Sequence, residues 1–246
     1  MQYSIVIPAH NEALNLEKFV SSFLKKPPHN LPLAEVLLVE NGSTDATLDA
    51  CKRLQHRFPR YVKVCTIERA SYGEAIRHGI LQSRGTHLSI LECDCLSAEF
   101  VQQSVELFQT QKAQFIVASK RHPDAVDRRP WKRRLLTYLY NQLLWLLLRY
   151  PGTDTHGLKS METSLGKQLC DLAVTTDEIF QTEIVLLAWR LGVKVDELPL
   201  SISESRPAPV RIAARVPKVL HTISELRRSL ARFSDEAPTL RTTTVS

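Results

Sequence analysis

The sequence lacks the features that mark secreted, zinc-binding and membrane-spanning proteins. It starts directly with a strand-like segment and shows no basic leader or cleavage site, so we expect no secretory signal. Its five cysteines are odd in number and irregularly spaced, which favours reduced, buried thiols in the cytosol. Cys93 and Cys95 have no further cysteine or histidine partners at zinc-site spacing. The apolar segment 135–148 is shorter than the about 20 residues that span a bilayer.

The charge balance favours anionic partners. The formal net charge is +6 and the pI is about 9.1, which suits nucleic acid, a membrane surface or phosphorylated substrates. No base-stacking platform or reading motif accompanies the arginines, so we expect no nucleic-acid partner. With 246 residues, 43% of them hydrophobic, the chain can form one substantial domain. We place that domain at residues 1–210, an amphipathic helix at 211–234 and a disordered tail at 235–246.

Short apolar runs alternate with segments of helical periodicity in the first half of the chain. They predict strands over residues 3–7, 34–39, 61–67, 87–92 and 114–119, the first of which stops at Pro8. Helices are predicted between them, the first over residues 16–24 with Asn11 or Glu12 near its cap. The pattern predicts an α/β fold, a mostly parallel central sheet with helices on both faces. Ligands should then bind at the carboxyl ends of the strands.

Two carboxylates end the fourth predicted strand. Because side chains alternate along a strand, Glu92 and Asp94 should point to the same side while Cys93 packs the other way. Oxygen ligands so placed suit Mg²⁺ or Mn²⁺ carrying the phosphates of a substrate. The alternative for an isolated acidic triplet is a pair of solvated loop acids.

Residues 120–150 change the character of the chain. A basic cluster containing Arg121, Arg128 and Arg134 precedes the apolar segment 135–148, which contains tyrosine and tryptophan. Basic residues beside an aromatic, apolar helix are typical of peripheral contact with a membrane interface. A buried helix or a face for a homo-oligomer or membrane partner is the alternative. Beyond this segment, a loop over residues 154–159, a helix over 177–191 and a strand over 193–200 are predicted.

Ordered motifs give the chain a resemblance to a known family. The segments Ser4–Glu12, Val39–Asp45, Tyr72–Ala75 and Glu92–Asp94 resemble successive motifs of family-two inverting glycosyltransferases of GT-A fold. Later segments are similar to the polyprenyl-phosphate (dolichol-phosphate) mannose synthase branch; they are Ser119–Arg121, Asp154–Lys159, Phe180–Glu183 and Glu197–Pro199. The resemblance implies transfer of a hexose, mannose or glucose, from a nucleotide diphosphate sugar to a polyprenyl phosphate. It places the protein peripherally on the cytoplasmic face of a membrane.

The resemblance also implies roles for individual residues. Glu40 would contact the base, Glu92 and Asp94 the ribose and diphosphate, and Asp94 the metal ion, with Glu92 beside it. The other residues implied for the nucleotide sugar are Pro8, His10, Glu12 and Gly73. Independently of the resemblance, the candidates for binding phosphate or acceptor are Arg121, Arg134, Lys159, Glu183 and Arg206.

Departures from the family pattern keep other functions open. His10 replaces a common tyrosine, Glu40 and Glu92 replace aspartates, and a Ser-Lys pair after the last strand is missing. The missing pair motivates a saccharide hydroxyl as the alternative acceptor. The lengthened acids motivate a weakly catalytic subunit that only binds sugar nucleotides.

The chemistry of sugar transfer assigns further candidates. A metal on Asp94, together with Arg121 and either Arg134 or Arg206, would stabilise charge on the leaving diphosphate. A phosphate acceptor is already largely anionic near neutral pH and needs no strong base. A hydroxyl acceptor needs a carboxylate base, for which Asp154, Asp177 and Glu178 are candidates, although each could instead be a helix cap or surface acid. Lys159 could contact phosphate or occupy a solvated strand edge.

Overall fold

The computed structural model describes residues 1–93, 95–201 and 221–231. Within them, one sheet has the strand order β3-β2-β1-β4-β6-β5-β7. All pairs are parallel except those of β6, which runs antiparallel to both β4 and β5. The strands are β1 (Tyr3–Ala9), β2 (Leu33–Asn41), β3 (Val62–Ile67), β4 (His87–Ile90), β5 (Phe115–Ser119), β6 (Lys159–Glu162) and β7 (Val195–Pro199). The predicted mostly parallel α/β architecture is confirmed.

Helices cover both faces of the sheet because consecutive strand residues point to opposite sides. Val6 of β1 packs into the core beneath α3, α5, α6 and α7, whereas Ile5 and Ile7 pack into the core beneath α1, α2 and α4. The helices are α1 (Leu16–Lys25), α2 (Thr47–Arg57), α3 (Tyr72–Gln82), α4 (Ala98–Gln109), α5 (Trp131–Leu148), α6 (Thr163–Leu172) and α7 (Phe180–Arg190).

A further helix, α8, covers residues 221–231 and lies within the predicted C-terminal amphipathic helix. Its buried residues Ile223, Leu226 and Leu230 follow helical spacing, and the last two join the α3/α5/α6/α7 core. The predicted boundary near residue 210 and the predicted disordered tail, residues 235–246, lie outside the described residues.

Pro8 does not end the first strand, so that prediction is wrong. β1 continues to Ala9, and Pro8 pairs with Val39 of β2. Val6 accepts a hydrogen bond from Leu91 N, so residues of the same parity, including Pro8, direct their backbone polar groups toward the β4 side. β4 has already ended at Ile90. The missing N–H of Pro8 therefore interrupts no ladder.

The predicted cap of α1 is also wrong, and α6 is an additional helix. Asn15 is the N-cap residue of α1, and Asn11 instead accepts a hydrogen bond from Thr44 N at 2.9 Å. α6, a continuous helix that contains Gly166, was not predicted from the sequence. A Cβ on Gly166 would lie 3.1 Å from Ile80 Cγ2 and from Met161 Sδ, so glycine permits α6 to approach α3 closely.

Candidate active site

The candidate site lies at the carboxyl ends of the parallel strands. Ala9, Asn41 and Ser119 end β1, β2 and β5 there. Because β6 is antiparallel, its first residue lies at the same edge: Lys159 pairs with Ile90 of β4 and Val117 of β5. The reversal of one strand thus adds the loop before β6 to the crevice predicted from the first half of the chain.

The first two motifs interlock at this edge. Asn11 N donates to Ser43 Oγ at 3.1 Å, and Glu12 N donates to Thr47 Oγ1 at 2.8 Å. Glu40 is buried, and its carboxylate accepts a hydrogen bond from Ser43 N at 2.6 Å. Pro8 is buried in β1, and its carbonyl lies 3.4 Å from Cys93 Sγ. The structure therefore brings Pro8, Glu12 and Glu40 together.

A cavity of 600 Å³, which we call the donor cavity, opens beside these motifs. His10 lines it, with Nδ1 2.6 Å from Asn41 O. Asn41 also accepts a hydrogen bond from Ser71 N at 2.7 Å, which holds the start of α3 at the cavity. Its other lining residues are Arg69, Ala70, Tyr72, Glu74, Thr176, Asp177 and Glu178.

Gly73 permits the loop before α7 to reach the donor cavity. A Cβ on this residue would lie 2.3 Å from Asp177 O and 2.5 Å from Thr176 O, so any larger residue would collide with backbone. Glu74 N donates to Thr176 O at 2.9 Å at the same contact. Gly73 is thus placed to shape one wall of the cavity.

Glu92 lies in a turn rather than in a strand, so the prediction that the fourth strand runs through Glu92 is wrong. β4 ends at Ile90, and Cys95 N donates to Glu92 O at 2.9 Å. Tyr72 OH donates to the Glu92 carboxylate at 3.4 Å. Cys93 is buried, as predicted. Asp94 lies outside the described residues, and within them no three acidic, histidine or cysteine side chains form a metal-binding group.

A second cavity, of 560 Å³, adjoins the donor cavity at Glu178. We call it the central cavity. Asp154 lines it and is 2% exposed. Its carboxylate accepts hydrogen bonds from His156 N at 2.9 Å and Lys120 N at 3.3 Å, and it lies 3.5 Å from Lys120 Nζ. Both carboxylate oxygens of Asp154 are therefore engaged by backbone N–H groups of neighbouring segments.

His156 extends the wall of the central cavity. Its ring packs edge-on against Tyr140, with 5.4 Å between the ring centroids. Burial lowers the pKa of His156 to about 4, against the opposing effect of Asp154. Burial also raises the pKa of Tyr140 to about 12. Both side chains are therefore neutral near pH 7.

Lys159 is fully buried, so the solvated strand edge is excluded. Its ammonium donates to Gly157 O at 2.9 Å and to Gln181 Oε1 at 2.6 Å. Burial lowers the pKa of Lys159 to about 7, while Glu92 and Asp154 raise it in opposition. The charge of Lys159 therefore interacts both with Glu92 in its turn and with Asp154 at the central cavity.

A third cavity, of 440 Å³, is basic and shares Lys120 with the central cavity. Arg121, Arg129 and Arg134 line it. The Arg121 guanidinium lies 4.5 Å from the centroid of the Tyr138 ring, and its buried Nη1 has no hydrogen-bond partner in the described chain. Arg129 pairs with Asp127 at 2.7 Å. The structure therefore brings Arg121 and Arg134 together in what we call the basic cavity.

Of three other predicted residues, only Asp177 lines one of these cavities in the described chain. Glu183 is fully buried, and its carboxylate accepts hydrogen bonds from Val174 N and Thr175 N at 2.9 Å each. Asp177 lines the donor cavity, and its carboxylate accepts a hydrogen bond from Ile179 N at 2.8 Å. It precedes α7, which begins at Phe180 rather than at residue 177 as predicted. Arg206 lies outside the described residues.

Sequence reasoning assigned no role to Tyr72, Lys120, Tyr140 or His156, although all four line the cavities. A signal existed for Lys120, which directly follows the end of β5. Tyr140 had no such signal, because it lies mid-way along an apolar helix.

Comparison with known proteins agrees with this geometry. The model of the family described as glycosyl transferase family 2 matches residues 4–162, which include both interlocked motifs, the Glu92 turn and Asp154. The chain belongs to glycosyl transferase family 2. This confirms the resemblance seen in the sequence.

Known members and solved structures support the same family and fold. Glycosyltransferase AglD of Haloferax volcanii is 28% identical over 81% of this family-2 chain and 33% of its own length. A dolichyl-phosphate beta-glucosyltransferase of Saccharomyces cerevisiae is 25% identical over 82% of the chain and 66% of its own length. The chain thus spans about a third and about two thirds of these two relatives.

A solved glucosyl-3-phosphoglycerate synthase from Mycobacterium tuberculosis, in complex with UDP, superposes with a TM-score of 0.69. It is 18% identical, and the match covers 92% of this chain and 80% of that one. The predicted GT-A fold is confirmed. Within the described residues, no helix has the length and apolar character needed to cross a bilayer.

Proposed function

We propose that this protein transfers a hexose from a nucleotide diphosphate sugar to a polyprenyl phosphate, with inversion at the anomeric carbon. The observation that carries the proposal is that the three cavities adjoin one another through shared lining residues. The donor cavity meets the central cavity at Glu178, and the central cavity meets the basic cavity at Lys120. A sugar between the two ends would face a nucleotide on one side and an anionic acceptor on the other.

The donor side supports a nucleotide sugar, and the relatives favour glucose over mannose. One relative is named a dolichyl-phosphate beta-glucosyltransferase, and one solved structure contains Mn²⁺ and UDP-glucose. His10 and Asn41 line the donor cavity, and the buried Glu40 precedes Asn41 in β2. We therefore propose UDP-glucose as the first donor to test.

The acidic turn suits a hard divalent cation. Glu92 offers carboxylate oxygens at the carboxyl edge of the sheet, and a diphosphate supplies the oxygen ligands that Mg²⁺ or Mn²⁺ also requires. We assign Glu92 and Asp94 as the protein ligands. The bound cation would supply Lewis-acid stabilisation of the negative charge on the diphosphate.

The basic cavity suits the phosphate of the acceptor. Arg121 has a buried Nη1 that lacks a protein partner in the described chain, and its guanidinium is held in place by Tyr138. A phosphate oxygen is the acceptor that such a planar donor group binds best. Arg134 and Lys120 add positive charge at the same cavity.

Phosphate is favoured over a sugar hydroxyl because Asp154, one of the predicted base candidates, already uses both of its carboxylate oxygens. Asp154 is buried and uses its oxygens to hold Lys120 N and His156 N. His156 is also a poor base for a hydroxyl acceptor, because its lowered pKa disfavours the imidazolium that would form when it takes the hydroxyl proton. A phosphate monoester supplies its own anionic oxygen. We assign Asp154 to positioning Lys120.

Helix α5 supports a lipid acceptor. Its exposed large hydrophobic residues are each 41–67% exposed; they are Trp131, Leu135, Tyr138, Leu139, Trp145 and Leu146. At 100° per residue they occupy one arc of about 120°, whereas Asn141, Leu144 and Leu148 are buried on another side. An exposed aromatic and apolar stripe bordering a basic cavity suits an anionic membrane interface. We propose peripheral binding there.

Transfer to separated acceptors tests the proposal. Purified protein with labelled UDP-glucose or GDP-mannose and Mn²⁺ or Mg²⁺ should label a polyprenyl phosphate, giving a β-linked product from an α-linked donor. Arg121→Ala should lower turnover at least tenfold. Arg84→Ala, exposed at the opposite edge of the sheet, is the matched control and should retain activity. Labelling of saccharides but not of polyprenyl phosphate would overturn the assignment of the acceptor, and nucleotide binding without any transfer would overturn the enzymatic proposal.

A further inference from the structure

The loop that joins α6 to α7, residues 173–179, forms the boundary between the donor and central cavities. Thr176 and Asp177 line the donor cavity, and Glu178 lines both. Thr176 to Glu178 are themselves exposed. Glu74 N of α3 holds Thr176 O at the donor cavity, and the rest of the loop is positioned by groups behind it.

Glu183 holds the loop by its backbone amide groups. It is fully buried in the first turn of α7, and its carboxylate accepts hydrogen bonds from Val174 N, Thr175 N and the Thr175 hydroxyl. The Ser229 hydroxyl of α8 donates to the same carboxylate. A buried carboxylate is costly unless its oxygens are satisfied, and four donors satisfy this one.

Arg77 of α3 holds the same loop by its carbonyl groups. Its guanidinium donates to Cys170 O, to Ala173 O at 2.7 Å and to Thr175 O at 3.3 Å. It also lies 4.9 Å from the centroid of the Phe180 ring. Thr175 is thus hydrogen-bonded on both sides: its carbonyl accepts from Arg77, and its N–H and hydroxyl donate to Glu183.

The contact at Ser229 adds a third element. Leu226 and Leu230 anchor α8 in the core, while Ser229 lies between them and is 2% exposed. α8 borders the central cavity directly at Thr222, whereas in the contacts described it reaches the wall of the donor cavity through the carboxylate of Glu183. Displacement of α8 would remove one of the four hydrogen bonds that orient this carboxylate.

We infer that Glu183 and Arg77 are positioning residues, and that docking of α8 through Ser229 sets the geometry of the donor cavity. Neither charged side chain has to touch substrate, because each acts on the backbone of residues 173–175. The consequence for nucleotide-sugar affinity rests on the proposed function. The consequence for loop mobility does not.

Ser229→Ala tests the inference with little risk to folding, since it removes only one hydroxyl. Glu35→Gln is the matched control. Glu35 is a buried carboxylate that accepts hydrogen bonds from Arg84 N at 2.7 Å and Ser4 Oγ at 2.9 Å, at the opposite edge of the sheet. Thr175→Val is a second variant, which removes a hydroxyl on the loop side of the same carboxylate.

Amide hydrogen exchange over residues 173–178 is the first measurement. Loss of one hydrogen bond should accelerate exchange there about fivefold in Ser229→Ala and Thr175→Val. The control should show wild-type exchange in this segment at an equal loss of melting temperature. Unchanged exchange in Ser229→Ala, or equal acceleration in Glu35→Gln, contradicts the inference.

Binding of UDP-glucose is the second measurement. The dissociation constant should rise about fivefold in Ser229→Ala and stay unchanged in Glu35→Gln. Wild-type affinity in Ser229→Ala overturns the coupling between α8 and the donor cavity. If the wild-type protein binds no nucleotide sugar, the proposed function fails, and the exchange experiment alone decides whether Glu183 positions the loop.

Discussion

Replacing Lys159 by methionine should change how the stability of the protein depends on pH. Lys159 is fully buried, and burial lowers its pKa from 10.5 to about 7. Below pH 7 the amine is protonated in both the folded and the unfolded chain. Between about pH 7 and 10.5 the folded protein has released this proton while the unfolded chain still binds it. The free energy of unfolding should therefore rise with pH in this window.

The magnitude follows from one proton. A difference of one bound proton changes the free energy of unfolding by about 1.4 kcal/mol per pH unit. Between pH 7.5 and 9 the wild type should therefore gain about 2 kcal/mol relative to Lys159→Met. Loss of the hydrogen bonds to Gly157 and Gln181 changes the free energy of unfolding of the variant by the same amount at every pH. The dependence on pH is therefore unaffected.

Urea unfolding at pH 7.5, 8.25 and 9 measures the difference directly. Burial raises the pKa of Cys51 and Cys170 to about 12. Above about pH 8.5 these thiols therefore lower the free energy of unfolding as pH rises, opposite to the effect of Lys159. Both proteins contain these thiols, and the difference between them removes that contribution. Lys112→Met, at an exposed lysine, should reproduce the wild-type curve. Parallel curves for wild type and Lys159→Met would refute the reasoning.

Three further outcomes are expected. Gly73→Ala should cost about 1–3 kcal/mol of stability, measured by denaturant unfolding, and should weaken UDP-glucose binding, because its Cβ meets backbone oxygen at 2.3 Å. Below pH 6.5 the wild type should lose stability faster than His156→Gln, because only the unfolded chain protonates His156 until about pH 4; equal acid unfolding contradicts this. Glu92→Gln should raise the Mn²⁺ concentration for half-maximal turnover several-fold, and chelation should abolish turnover until Mn²⁺ or Mg²⁺ is restored.

Periodicity predicted the framework of the molecule because its strands and helices are regular. The alternation of apolar runs with helical spacing correctly indicated β1 to β5 and the helices between them. β6 was not predicted as an antiparallel strand, since four residues carry no signal of direction. The continuous strand through Glu92 failed for a similar reason: the apolar run ends without showing where pairing with β1 and β6 ends.

The site was predictable where its residues follow the ends of neighbouring parallel strands. The interlocked motifs around Glu12 and Glu40 were expected to meet because parallel strands share an edge. The burial of Lys159 could not be read from the sequence, since a lysine opening a strand is equally compatible with solvent. Glu183 matched a family motif, yet its contacts with Val174, Thr175 and Ser229 depend on three separate parts of the chain.

Because β6 is reversed, two contiguous segments of the chain provide the walls of different cavities. Residues 1–93 build the donor cavity apart from the α6–α7 loop, whereas the segment from Lys120 to Lys159 provides most of the wall of the basic and central cavities. Both ends of that segment are fixed by adjacent strands, β5 and β6. Exchange of residues 120–158 between family members is therefore a one-piece graft, with which acceptor preference could be altered while nucleotide preference is retained.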